Sequence, residues 1–92
     1  MKTLTLIDGI FTSAEMKEVV LTMINNKINF HHLKNLRSLE REGHEDENSS
    51  KRLVELHALK VEINTLNFDA NELVKLKSTI EIEVIANQFV DL

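Results

Sequence analysis

The sequence predicts an α+β domain in which two amphipathic helices pack on one face of a small two- or three-stranded sheet, with strands at the N- and C-terminal ends. Three observations predict it. The stretch from Lys2 to Ile7 alternates polar and apolar residues and is rich in β-formers. Two internal stretches carry apolar residues at helical spacing. From Ser78 to Ile85 the pattern returns to a period of two. Helices and strands that are each apolar on one side must bury those sides against one another, which gives a layered α+β fold. A chain of 92 residues has room for one core, so residues 1–92 are read as a single domain.

Lys2-Thr3-Leu4-Thr5-Leu6-Ile7 is read as a short strand with Leu4 and Leu6 inward, closed by the turn signal Asp8-Gly9. Thr12 and Glu15 then make a capping box, in which the Thr hydroxyl accepts from the third helical amide and the Glu carboxylate reaches back to the cap amide. Phe11 and Met16 flank it at the positions of a hydrophobic staple. Met16, Val19, Val20, Met23 and Ile24 continue as one helical stripe, and Asn25-Asn26 is read as its stop. In Lys27 to Leu33, Ile28 and Phe30 alternate with polar residues, which favours a second strand. The three-residue spacing of Phe30, Leu33 and Leu36 is the rival sign of continued helix.

Residues of about 40–50 are polar and acidic and include Gly43, so they are read as an exposed loop. The second helix is expected from Ser49 or Ser50, with Leu53, Leu56, Leu59, Ile63 and Leu66 as its buried seam. Asp69 and Glu72 form another capping-box pattern, but the alternation that runs on from Val74 favours a turn over Asn67 to Asn71 and a final strand that has begun by Leu76. The strand's wet face carries Lys75, Lys77, Glu81 and Glu83. So few strands leave sheet edges open, and pairing between subunits closes them, which points to a homodimer or larger assembly.

The function classes narrow by composition. A net charge of -4 argues against nucleic acid as a partner, because such binding draws its affinity from phosphate neutralisation. Phe residues are the only aromatics, so stacking platforms for single strands are scarce. No apolar run approaches the ~18 residues of a membrane span. Asp8 and Gly9 interrupt the apolar stretch after Lys2, so no secretory signal is expected. The absence of Cys excludes disulfides and cysteine catalysis and fits a reducing compartment, and the expected location is cytoplasmic.

Chemistry-bearing motifs fail one by one. His44-Glu45 opens like the zincin helix motif, but its fifth position is Asn48. A zinc site from His32, His44 and Glu45 has the right donor types and no supporting spacing. On a strand, His31 and His32 point to opposite faces and do not chelate one ion. Glu45-Asp46-Glu47 lacks the spaced donors and central Gly of a calcium loop, so a solvated acidic segment is the better reading. No nucleophile elbow, P-loop or dinucleotide fingerprint is present, and the expectation is no enzyme, no cofactor and no metal. Lys34, Arg37, Arg41, Lys51 and Arg52 flank the acidic segment, which neutralises them locally. The polar contacts to a ligand or partner are expected at His31, His32, Arg37 and Arg41.

Ile28-Asn29-Phe30-His31, Lys34-Asn35, Glu40-Arg41 and Gly43, followed by a charged helix and the strand Ser78-Thr79-Ile80-Glu81-Ile82, resemble small uncharacterised bacterial proteins of similar length. The resemblance spans most of the chain and implies a bacterial cytoplasmic origin, with no activity to carry over. The expected function is therefore a non-enzymatic interaction, assembly or accessory role, acting through a protein partner or self-association. A small ligand-binding or regulatory module is the alternative.

Overall fold

The computed structural model describes residues 1–86. Strand β1 spans Lys2–Thr12, helix α1 Ser13–Glu42, helix α2 Glu47–Asn64 and strand β2 Leu73–Ile82. The strands form a two-stranded antiparallel sheet, and the two helices lie against one face of it. The fold is α+β, with the N-terminal and C-terminal strands paired to each other.

β1 runs straight through Asp8-Gly9, where the sequence favours a turn. Gly9 pairs with Leu76, and the Phe11 ring covers it so closely that a Cβ would come within 3.4 Å of the ring. The inward face carries Ile7, Gly9 and Phe11 opposite Ser78, Leu76 and Val74. Thr5 pairs with Thr79 and Ile7 with Ser78, so Leu6 is the extra residue of a β-bulge. The bulge shifts the phase of β1, and the expected inward pair is not buried: Leu4 is 43% and Leu6 51% exposed.

The first helix starts as its motif requires. Glu15 N–H donates to the Thr12 hydroxyl at 3.1 Å, and Thr12 N–H donates to the Glu15 carboxylate at 2.8 Å. Two further first-turn amides are satisfied from outside the helix: Ser13 N–H donates to Glu72 O at 2.8 Å and Ala14 N–H to Ala70 O at 3.3 Å. These bonds seat α1 on the segment that leads into β2. Met16 is buried and Phe11 half-buried at the staple positions.

The helix does not stop at Asn25-Asn26, and Lys27 to Leu33 is helix rather than strand. Ile24 and Ile28, one turn apart, pack with Leu53 and Leu56 of α2, with Val20 and Ile63 alongside. That burial outweighs the weak helix preference of two Asn and a β-branched Ile. α1 ends at Gly43, whose φ of 78° is the left-handed conformation that closes a helix and whose N–H donates to Leu39 O at 3.1 Å. Only residues 43–46 separate the helices, so the exposed acidic loop is far shorter than expected. α2 is capped by Asp46, not Ser49 or Ser50; the Asp46 carboxylate accepts from Ser49 N–H at 3.2 Å.

A buried polar clip closes this hairpin. Asn35 Nδ2 donates to Glu45 Oε2 at 3.1 Å and to Ser50 Oγ at 3.2 Å, and Asn35 Oδ1 accepts from Asp46 N–H at 3.0 Å. At the other end, Lys17 Nζ donates to Leu66 O at 3.0 Å, holding the tail of α2 beside the start of α1. No helix forms at Asp69 to Glu72. Glu72 N–H instead turns back to Asp69 O at 2.9 Å, and β2 begins at Leu73.

Candidate functional site

Of the four residues expected to contact a ligand, the two histidines diverge from each other and from the two arginines. His31 turns inward: its Nδ1 lies 3.0 Å from Ser49 Oγ, and the Phe30 ring meets it edge-on with centroids 5.1 Å apart. Partial burial, reinforced by Lys27, Lys34 and Arg52, holds the His31 pKa below its ordinary value, against an opposing pull from Asp46. His32 is exposed about 100° further round the helix. The strand expectation of opposite faces does not apply. Arg37 and Arg41, one turn apart, do come together, lining a shallow pocket of about 240 Å³ with Lys34, Ser38, Glu42 and Asp46.

Lys34 lies 3.9 Å from the Asp46 carboxylate, whereas neither arginine has an ion pair among the described residues. The acidic turn is occupied with its own structure. Glu45 accepts from Asn35, and Asp46 caps α2. His44 Nε2 lies 3.7 Å from the Glu42 carboxylate and its Nδ1 3.1 Å from Glu45 O, so it does not join His32 and Glu45. Among the described residues no cluster of three potential metal-ligating side chains forms.

The larger concavity lies between the layers. A groove of about 480 Å³ runs between the sheet and the helix pair, with Ile7 and Leu76 on one wall and Val20, Ile24, Leu56 and Leu59 on the other. Its charged lining residues, Lys27, Arg52 and Lys77, are all cations. Lys27 Nζ sits 5.3 Å from the Phe30 ring centroid, Arg52 bonds Glu55 at 3.2 Å, and Lys77 is paired across the sheet with Asp8. Sequence periodicity identifies Val20, Ile24, Leu56, Leu59 and Leu76 of this groove as inward positions but not Ile7, which the bulge at Leu6 turns inward. Periodicity does not show that the layers leave the groove open, because that depends on how the sheet sits over the helices.

Outside the groove, apolar surface is extensive. Among the described residues five apolar side chains are buried, while eighteen large ones are exposed, all but Leu59 outside the groove. They include Phe30, Leu33, Leu36 and Leu39 along α1, and Ile80, Ile82, Val84 and Ile85 at the end of β2 and just beyond. Large apolar patches on the surface of a domain mark interaction sites. Among the described residues both edges of the sheet are open as well. The outer faces thus offer a partner two things: apolar area and unpaired backbone hydrogen-bonding groups.

Among the described residues, no helix is long and apolar enough to cross a membrane. No family model, curated protein or solved structure matches this chain.

Proposed function

We propose that this protein acts non-enzymatically, as an interaction or assembly component that works by associating with itself. The observation that carries this reading is the imbalance between a small buried core and a large exposed apolar surface. The shape agrees with it. The radius of gyration is 17.1 Å, against about 12 Å for a compact domain of this length. An elongated fold with open sheet edges gains most when a second surface covers it. The setting we infer is the bacterial cytoplasm, supported by the absence of Cys and by the resemblance to small bacterial proteins.

The test is the mass of the purified chain in solution. Light scattering coupled to size exclusion is expected to give a dimer or larger species at micromolar concentration. A strictly monomeric mass would remove the reading. A second reading, a module binding a small anion, is favoured by the α1 pocket, whose two arginines have no ion pair among the described residues. Native mass spectrometry that retains an anion lost in an Arg37→Ala/Arg41→Ala variant would support that reading instead.

A further inference from the structure

We infer that the partner is a second copy of this chain, and that the two copies join through β2, antiparallel about Thr79, into one four-stranded sheet. This deepens the self-association proposed above and rests on it. On the outward face of β2 and in the residues just after it, Lys75, Lys77, Thr79, Glu81 and Glu83 are all exposed, with Lys77 also bordering the groove. Both cations precede Thr79 and both acids follow it, at matching spacings. An antiparallel pairing centred on Thr79 sets Lys75 opposite Glu83 of the second copy and Lys77 opposite Glu81. The two-fold axis repeats both pairs in reverse. All four charges then meet their opposites, which favours this register over neighbouring ones.

The other face matches too. The same register sets Val74 opposite Val84, Leu76 opposite Ile82, and Ser78 opposite Ile80. Val74, Leu76 and Ser78 belong to the half of β2 that the helices cover, while Ile80 and Ile82 extend past it. Each copy's exposed apolar end would therefore lie beside the helix-covered half of the other's sheet. The helix layers sit diagonally across the axis, so they do not compete for the same space.

β1 offers no equivalent edge. The bulge at Leu6 breaks its regular hydrogen-bonding spacing, a common way of blunting an edge strand. Its charges, Lys2 and Asp8, are equidistant from Thr5, but the bulge between them puts them on opposite faces of the strand, so a two-fold pairing about Thr5 does not match them. β2 runs through Leu73–Ile82 without an irregularity of its own. Pairing would also extend its ladder to Glu83 and beyond, into the alternation that continues to Ile85.

The test uses charge reversal in the full chain, read by sedimentation velocity. Lys75→Glu/Lys77→Glu makes the strand wholly acidic, and Glu81→Lys/Glu83→Lys makes it wholly basic. Each variant alone is expected to self-associate at least roughly ten-fold more weakly than wild type, because like charges then face each other. An equimolar mixture of the two is expected to recover dimer, as a heterodimer. Thr79→Cys gives an independent readout in a chain without other thiols. Opposed residues of paired strands are close enough for a disulfide, so oxidation should yield a covalent dimer, whereas Thr3→Cys on β1 should not.

If wild type is dimeric but both charge variants stay dimeric, the β2 interface is wrong while self-association stands. A Thr79→Cys variant that stays reduced in a dimeric protein likewise rules out the β2 interface alone. A monomeric wild type overturns both. Far-ultraviolet circular dichroism on each variant guards against misfolding, and recovery in the mixture cannot come from unfolded chains.

Discussion

Asn35 is the residue on which the helical hairpin closes. It is buried, and its amide satisfies the Glu45 carboxylate, the Ser50 hydroxyl and the Asp46 amide together. Among the described residues no buried side-chain polar atom lacks a partner, so removing this amide creates unsatisfied groups where there are none. Asn35→Ala is expected to cost about 2–3 kcal/mol, read as a lowered urea midpoint, because the lost bonds include one to a charged group. Arg37→Ala, on the exposed pocket, is expected to stay within about 0.5 kcal/mol. Sequence reading does not find Asn35, because its partners lie ten to fifteen residues away and meet it only once the helices pack. The Thr12–Glu15 box is legible for the opposite reason: both partners lie within one helical turn. The expected contacts at Arg37 and Arg41 share a pocket because one turn separates them, whereas His31 is drawn inward by Ser49, which no local pattern reveals.

At the scale of elements, local signals decide where chain segments begin better than where they stop. The start of α1 follows from its capping box, and periodicity finds buried Leu53 and Leu56 and half-buried Ile63 in α2, whereas Leu59 is exposed and Leu66 is exposed and lies beyond the helix end. Asn25-Asn26 fails as a stop because Ile24 and Ile28 bury on either side of it, and tertiary packing overrides propensity. Asp8-Gly9 fails as a turn because Phe11 covers the glycine within a continuous ladder. The signal that does end α1 is Gly43, set inside a polar run that sequence reads as one long loop. Its φ of 78° is costly for a residue with a Cβ, although an added Cβ would meet nothing within 4 Å. Gly43→Ala is therefore expected to destabilise by about 1 kcal/mol through backbone conformation alone. Gly43→Asn should cost less, since Asn tolerates this region. An unchanged denaturant slope with a shifted midpoint would identify the effect as stability. A Gly43→Ala variant as stable as wild type would show that the hairpin closes without the left-handed turn.

For the whole molecule, the paired sheet and the helix hairpin contribute differently. The buried cluster belongs almost entirely to α1 and α2, and much of the sheet's inward face opens onto the groove. A two-stranded ribbon is marginal by itself and needs either more strands or fuller cover. The strand alternation read from sequence continues to Ile85, yet the paired strand ends at Ile82, and among the described residues no strand pairs with residues 83–86. A second copy joined at β2 would supply that strand and turn an open ribbon into a four-stranded sheet. Stability would then be linked to concentration, because association favours the folded state by mass action. With typical unfolding entropies and two chains per cooperative unit, each ten-fold rise in concentration is expected to raise the melting temperature by about 3–4 °C. Scanning calorimetry over two decades of concentration measures this directly. The Glu81→Lys/Glu83→Lys variant should melt lower and show a flat dependence. A flat dependence in wild type would mean that the helix hairpin carries the fold alone, and that the exposed strand end contributes nothing to stability.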